Sequence, residues 1–263
     1  MSHIVADVAS VTLAGYGMRE AKRMRRDYAR LKYAIDQGDR EARTRLYLEI
    51  LQFEWVSAAL ALIALEFDKT KLMAATLQIG DSWFAHWVST SSISGANGLT
   101  AIGAGLLISL APMILARLRA RRRGPDFLES RAKPWWRKFV PDIRPLIPTT
   151  GRERWLFAAI AVSAGLCEEI VFRAWLLFTL HTSLGFDGTT SVFLAAALFG
   201  LCHIYQGPTG VVGATCAGVL LSALYIGTGT LLVPIILHSL LDLRVAILPA
   251  GSPRVSPTQP TAA

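Results

Sequence analysis

The chain has 263 residues, is 52% hydrophobic and only 17% charged, and has a mean hydropathy of +0.41 and a net charge of +8. So apolar a composition excludes an ordinary water-soluble globular domain, and several apolar runs approach the ~20 residues that span a bilayer's hydrocarbon. The expected fold is all-α, a polytopic transmembrane helix bundle of about six to seven spans in which four helices form the core.

The basic residues are clustered. Residues 1–50 carry ten Lys/Arg and seven Asp/Glu, and residues 117–154 carry twelve and four. Both clusters flank apolar spans, which is positive-inside patterning. The expected surroundings are therefore a lipid bilayer, with no nucleic-acid partner.

In chain order, residues 1–50 read as a charged cytoplasmic or interfacial segment, helical over 18–50 with a break at Gly38. No short apolar stretch follows a basic start, so no cleavable signal peptide is expected. Residues 51–116 hold the N-terminal membrane spans. The first is Leu51–Phe67, shortened by Glu54 and Glu66 near its ends. Residues 72–90 cross or lie along the interface, because Gln78, Asp81 and His86 interrupt the run while Trp83 and Trp87 suit the headgroup region. Leu99–Ala116 is a span stopped by Arg117, Arg119, Arg121, Arg122 and Arg123.

Residues 117–154 form a basic linker containing prolines 125, 134, 141, 145 and 148. Residues 155–248 form the membrane core, with spans over 155–180, 190–205, 209–227 and 230–248, and residues 249–263 a disordered tail. Loop 117–154 and the tail are expected on the cytoplasmic side of a multi-pass integral membrane protein. If 51–67 and 99–116 alone cross in the N-terminal part, the N-terminus is inside; if 72–90 crosses too, it is outside, and the basic N-terminal segment favours inside. Cys167, Cys202 and Cys216 lie in apolar segments without CxxC spacing and read as small buried hydrophobes.

The core contains charge where charge is costly. In Cys167-Glu168-Glu169-Ile170-Val171-Phe172-Arg173, three ionisable groups fall within six residues of an apolar run. Each disfavours insertion by about 2.5–3.5 kcal/mol at a helix centre. Glu169 and Arg173 are i,i+4 neighbours and are expected to pair. Glu168 points about 100° away and is left freer, and a carboxylate in a dry site suits general-base work. His203 ends the 190–205 span, four residues after Phe199. His238 and Asp242 share one face of the last span at i,i+4. Intramembrane ionisable groups almost always face the bundle interior, so the three faces are expected to converge.

Two arrangements would hydrolyse an amide there. Glu168, His203 and His238 would hold zinc with an open position for water. Alternatively, Glu168 would deprotonate water with help from His203, while His238 and Asp242 stabilise the oxyanion. The chain has no HExxH helix, GxSxG or Ser/Lys arrangement, and no GxGD-like pair.

Glu168-Glu169-x-x-x-Arg173, Phe199-x-x-x-His203 and His238-x-x-x-Asp242, in this order, resemble the CPBP family of membrane proteins. That family comprises type II CAAX prenyl endopeptidases and bacteriocin-processing (ABI) proteins. Phe172-Arg173-Ala174, the Leu224-Tyr225-x-x-Thr228-Gly229 stretch and Pro234 before His238 add to the resemblance, which covers about residues 150–248. It implies an intramembrane endopeptidase acting on a membrane-associated or CAAX-like peptide. It also implies Glu168 as the water-activating carboxylate, His203 as its partner, and His238 with residue 242 as oxyanion-stabilising groups. Glu169, Arg173 and Phe199 would support them. Prenyl-processing members usually carry Asn where this chain has Asp242, and an ionised Asp only accepts hydrogen bonds. Two other classes fit an all-helical membrane protein with these residues: a non-catalytic scaffold or immunity-type protein, and a proton-coupled carrier. A carrier is expected to show internal repeats, and none is seen.

Overall fold

The computed structural model describes residues 2–66, 82–90 and 144–246, and every regular element among them is helical. Helix α1 (Ser2–Asp36) ends at Gly38, which takes the left-handed φ of +80° that lets the chain reverse. Helix α2 (Ala42–Ala64) runs back along it. The break expected at Gly38 is there. The helix carrying the first expected span, however, begins at Ala42, well before Leu51. The reason is electrostatic: Arg43 in its first turn is taken up by the Pro145 carbonyl at 2.8 Å and stands 3.8 Å from Glu153. Hydropathy marks where hydrocarbon begins, not where the helix does.

Helix α3 (Trp83–Thr90) is short, and the single turn Arg144–Leu146 leads into helix α4 (Gly151–Glu169). The start of α4 is fixed by a capping box. The Thr150 hydroxyl accepts from the Glu153 amide at 3.2 Å, and the Glu153 carboxylate accepts from the amides of Thr149 and Thr150 at 2.6 and 3.2 Å. Beyond Glu169 the coil continues through two π-helical stretches, Ile170–Leu176 and Thr179–Ser183. Helix α5 (Gly188–Cys202) is N-capped by Asp187, whose carboxyl the Thr190 hydroxyl and amide hold below the usual carboxylate range. A turn at Ile204–Gln206, helix α6 (Gly207–Thr228) and helix α7 (Leu232–Ala246) complete the described chain.

Among the described residues, three helical segments are long and apolar enough to cross a membrane: Ala42–Ala64, Gly151–Ser183 and Ile204–Thr228. Helix α5 is apolar but only 15 residues long. The span expected over 99–116, residues 117–143 of the expected linker and the expected tail fall outside the described residues, so the expected six to seven spans exceed what these helices alone supply. Large apolar side chains such as Phe193, Leu198, Val212 and Ile236 are exposed on the outer faces, where lipid replaces water as the neighbour. Of the cysteines, Cys167 is buried and Cys202 half-buried, while Cys216 is exposed rather than buried as expected. A thiol on a lipid-facing surface still sits among apolar groups.

Small residues set how closely the core helices approach. α4 packs on α7, α5 on α6, and α2 on both α1 and α4. A Cβ placed on Gly165 would stand 2.8 Å from the Ser239 amide nitrogen and 3.0 Å from the Ile235 carbonyl oxygen. On Gly218 it would meet the Ala196 backbone at 3.0 Å. These are the close crossings that small residues permit between helices in lipid. Gly165 lies one turn before Glu168 and Glu169, and Ser239 is next to His238, so this crossing sets the distance between the first and third motifs. Gly165→Ala is expected to cost about 1–3 kcal/mol, the usual overpacking penalty. Unfolding of the purified protein by SDS in mixed micelles would read it, and an unchanged midpoint would contradict a fixed crossing.

Candidate active site

The end of α4 and its π-helical extension supply Glu168, Glu169, Phe172 and Arg173. The end of α5 supplies Phe199 and His203, and α7 supplies His238 and Asp242. Glu169 is completely buried and Arg173 nearly so, and they pair at 3.0 Å. The same carboxylate oxygen accepts from His238 Nδ1 at 2.8 Å. Glu169 thus ties α4 to α7, and the pairing expected from i,i+4 spacing is extended by a histidine from a different helix. Arg173 also reaches the Gly218 carbonyl on α6 at 3.4 Å.

With Nδ1 committed to Glu169, the other imidazole nitrogen of His238 faces two carboxylates. Its Nε2 is 3.5 Å from Asp242 Oδ2 and 3.8 Å from Glu168 Oε2. Glu168 is the less tied of the α4 pair, as the sequence suggested. Its Oε2 is buried without a hydrogen-bond partner, while its side chain as a whole keeps 27% of its surface accessible.

His203 is held differently. Its Nδ1–H donates to the Phe199 carbonyl oxygen of its own helix at 2.8 Å, which leaves Nε2 as an acceptor in the neutral ring. It lies in electrostatic range of Glu168 without a direct ion pair to it. Phe199 is the apolar hub of the group. Its ring lies 4.8 Å from that of His203 and 5.8 Å, edge-on, from that of His238. It also meets Phe172 edge-on at 5.0 Å, and the Arg173 guanidinium sits 4.6 Å from its centroid. The three motifs therefore gather around one aromatic ring.

Two nearby residues escaped the sequence reading. Tyr205, just past α5, stacks on His203 at 6.0 Å and is flanked by Tyr28 of α1 at 6.2 Å. Glu54 of α2 is buried at 4% accessibility and interacts electrostatically with Glu168, Asp242 and His238. The signal for Glu54 was available, since it is a carboxylate inside an apolar helix.

For zinc, the expected ligands were Glu168, His203 and His238. Among the described residues no group of three or more His, Cys, Asp and Glu side chains is arranged to hold a metal ion. Both histidines engage protein acceptors through Nδ1, which leaves Nε2 of each as the nitrogen that could ligate a metal.

Because Glu169 and Arg173 are sealed from solvent, removing one strands the other as an unpaired buried charge. Arg173→Met is expected to destabilise the protein by about 3–5 kcal/mol, and adding Glu169→Gln should recover part of that loss. Unfolding midpoints of the single and double variants check it, and simple additivity would show that the pair is not coupled.

Compared with known proteins, residues 150–244 match the family model described as Type II CAAX prenyl endopeptidase Rce1-like. The searches against curated proteins and against solved structures return no match. The matched region starts at the capping box of α4 and ends two residues past Asp242, so it holds all three motifs and omits α1, α2 and α3. Residues 150–244 are thus similar to the Rce1-like type II CAAX prenyl endopeptidases, a family of proteases.

Proposed function

We propose that the protein is an intramembrane endopeptidase that hydrolyses a peptide bond of a membrane-associated, CAAX-like or other peptide substrate, using water activated by Glu168. The observation that carries this reading is the unequal use of the two adjacent glutamates. Glu169 is sealed from solvent with its Oε1 held by Arg173 and His238, whereas Glu168 comes no closer than 3.8 Å to His238 Nε2 and keeps 27% of its side-chain surface accessible. A group spared structural duty in the middle of such a network is suited to proton transfer.

In this reading a water lies between Glu168 and His203. Glu168 takes one of its protons, and the His203 Nε2 lone pair accepts a hydrogen bond from the other. The oxygen attacks the scissile carbonyl carbon. His238, gripped at Nδ1 by Glu169, donates from a protonated Nε2 to the developing oxyanion, and Asp242 beside that nitrogen holds the proton there. Glu168 then passes its proton to the amide nitrogen, and the C–N bond breaks. The products are a carboxylic acid and an amine, between which the last proton equilibrates. Asp242 in place of the family's usual Asn fits an orienting role for this residue, because an ionised carboxylate cannot donate to an oxyanion. Loop 117–154 and the C-terminal tail lie on the cytoplasmic side in this reading, following the distribution of Lys and Arg.

The test compares cells carrying the wild type with cells carrying Glu168→Gln or His238→Ala at equal protein levels. Peptide termini are mapped by mass spectrometry. Termini that appear only with the wild type are expected, and on a peptide spanning such a site Glu168→Gln should lower kcat about 10²–10⁴-fold. Identical termini in all strains would overturn the endopeptidase reading.

A further inference from the structure

The chain that follows His203 folds back onto it. Residues Ile204–Gln206 form one tight turn, closed by the Gln206 amide, which donates to the His203 carbonyl oxygen at 2.9 Å. Gly207 comes next at φ +79°, a left-handed value that residues with a side chain rarely adopt, and α6 starts at once. The reversal returns the ring of Tyr205 to that of His203. The two are nearly parallel, 28° apart in plane with centroids at 6.0 Å, within the range of offset stacking. Tyr205 is held in turn from two other elements. Gln206 Nε2 donates to the Tyr205 hydroxyl oxygen at 3.0 Å. The Gln206 side chain lies against α6 at Gly210, where an added Cβ would stand 2.3 Å from Gln206 Cβ. Tyr28 of α1 meets the Tyr205 ring at 6.2 Å, tilted by 46°.

His203 requires such support to act as an acceptor in a fixed direction. Its Nδ1–H bond to the Phe199 carbonyl oxygen at 2.8 Å sets the tautomer and leaves the lone pair on Nε2. One hydrogen bond fixes a point, not a plane. The imidazole can still pivot about the N–H···O line and sweep Nε2 through an arc. The Phe199 ring meets the imidazole obliquely, at 51°, so the nearly parallel face of Tyr205 is the contact that resists tilting out of plane. Misplacing a catalytic group by about 1 Å can cost on the order of a hundredfold in rate. We propose that Tyr205 is a positioning residue: its ring, backed by Tyr28 and Gln206, holds the His203 imidazole so that Nε2 stays aimed at the water that Glu168 activates. Helix α1, outside the matched region, thereby takes part in setting the site. This inference rests on the endopeptidase reading and adds to it what keeps His203 in place.

The test uses the full chain in lipid nanodiscs and a synthetic peptide spanning the strongest wild-type-dependent cleavage site. Tyr205→Leu keeps apolar bulk but has no flat face. It is expected to lower kcat about tenfold, with KM within about twofold of the wild type. Tyr205→Phe keeps the face and loses only the bond from Gln206, so its kcat should fall by no more than about threefold. Tyr28→Leu removes the backing and leaves Tyr205 in place. It should lower kcat about threefold, and it carries the test if Tyr205→Leu does not fold. A second readout needs no turnover. In protein labelled with 15N at its five histidines, the His203 ring nitrogens are identified by their loss in His203→Ala. They should report one fixed tautomer in the wild type and Tyr205→Phe, and exchange-broadened signals in Tyr205→Leu. Wild-type kcat in Tyr205→Leu or Tyr28→Leu, a loss carried by KM, an equal loss in Tyr205→Phe, or unchanged His203 signals in Tyr205→Leu would each overturn the role of Tyr205 while leaving the endopeptidase intact. A wild type that generates no termini and cleaves no peptide would overturn the endopeptidase reading, and this inference with it.

Discussion

One buried carboxylate oxygen organises the described structure. Glu169 Oε1 faces Arg173 at 3.0 Å and the His238 Nδ1 at 2.8 Å, with almost no access to solvent. A charge in so apolar a place survives only if it is paired and hydrogen-bonded. The pairing constrains everything near it: the register of α4 against α7, the ring orientation of His238, and the direction of Arg173 toward Phe199 and α6. It also leaves the adjacent Glu168 outside this pairing. The structural work of holding two helices together has been assigned to one residue of the pair.

The close crossing at Gly165 and the aromatic hub at Phe199 serve the same end by different physics. Hydrophobic burial does not draw helices together in lipid as it does in water. The core instead relies on near contact of backbones, edge-on aromatic rings, and side-chain hydrogen bonds between helices. The capping box at Thr150 and Glu153, tied through Arg43 to α2, fixes the other end of α4 outside that apolar zone. A helix held at both ends can place a carboxylate with little freedom, which a proton-transfer group requires.

The sequence made this region legible because its interactions are local. Glu169 with Arg173, and His238 with Asp242, are four residues apart, so helical geometry alone pairs them. That the three motifs meet follows from the rule that charge in a membrane faces the bundle interior. Three features lay beyond that reasoning. The bond between Glu169 and His238 spans two helices, and no spacing announces it. The π-helical stretches after Glu169 leave no hydropathy signature. In the sequence Glu54 reads only as a residue that shortens a span, although it too is a carboxylate within an apolar helix. Its partners are reached only through tertiary packing, and the family match, which begins at residue 150, does not extend to it.

The shortness of α5 bears on the surroundings of the protein as well as on its fold. A helix of 15 residues rises about 22 Å, less than the ~30 Å depth of bilayer hydrocarbon. Lipids beside a spanning helix of this length compress, at a fraction of a kcal/mol per Å of mismatch. The thinned patch falls where His203 closes α5, so headgroups and their hydration come nearer to the candidate site than a full-depth bundle would allow. The same mismatch makes a thin bilayer the more favourable host, so that lipid thickness itself tunes where such a protein collects.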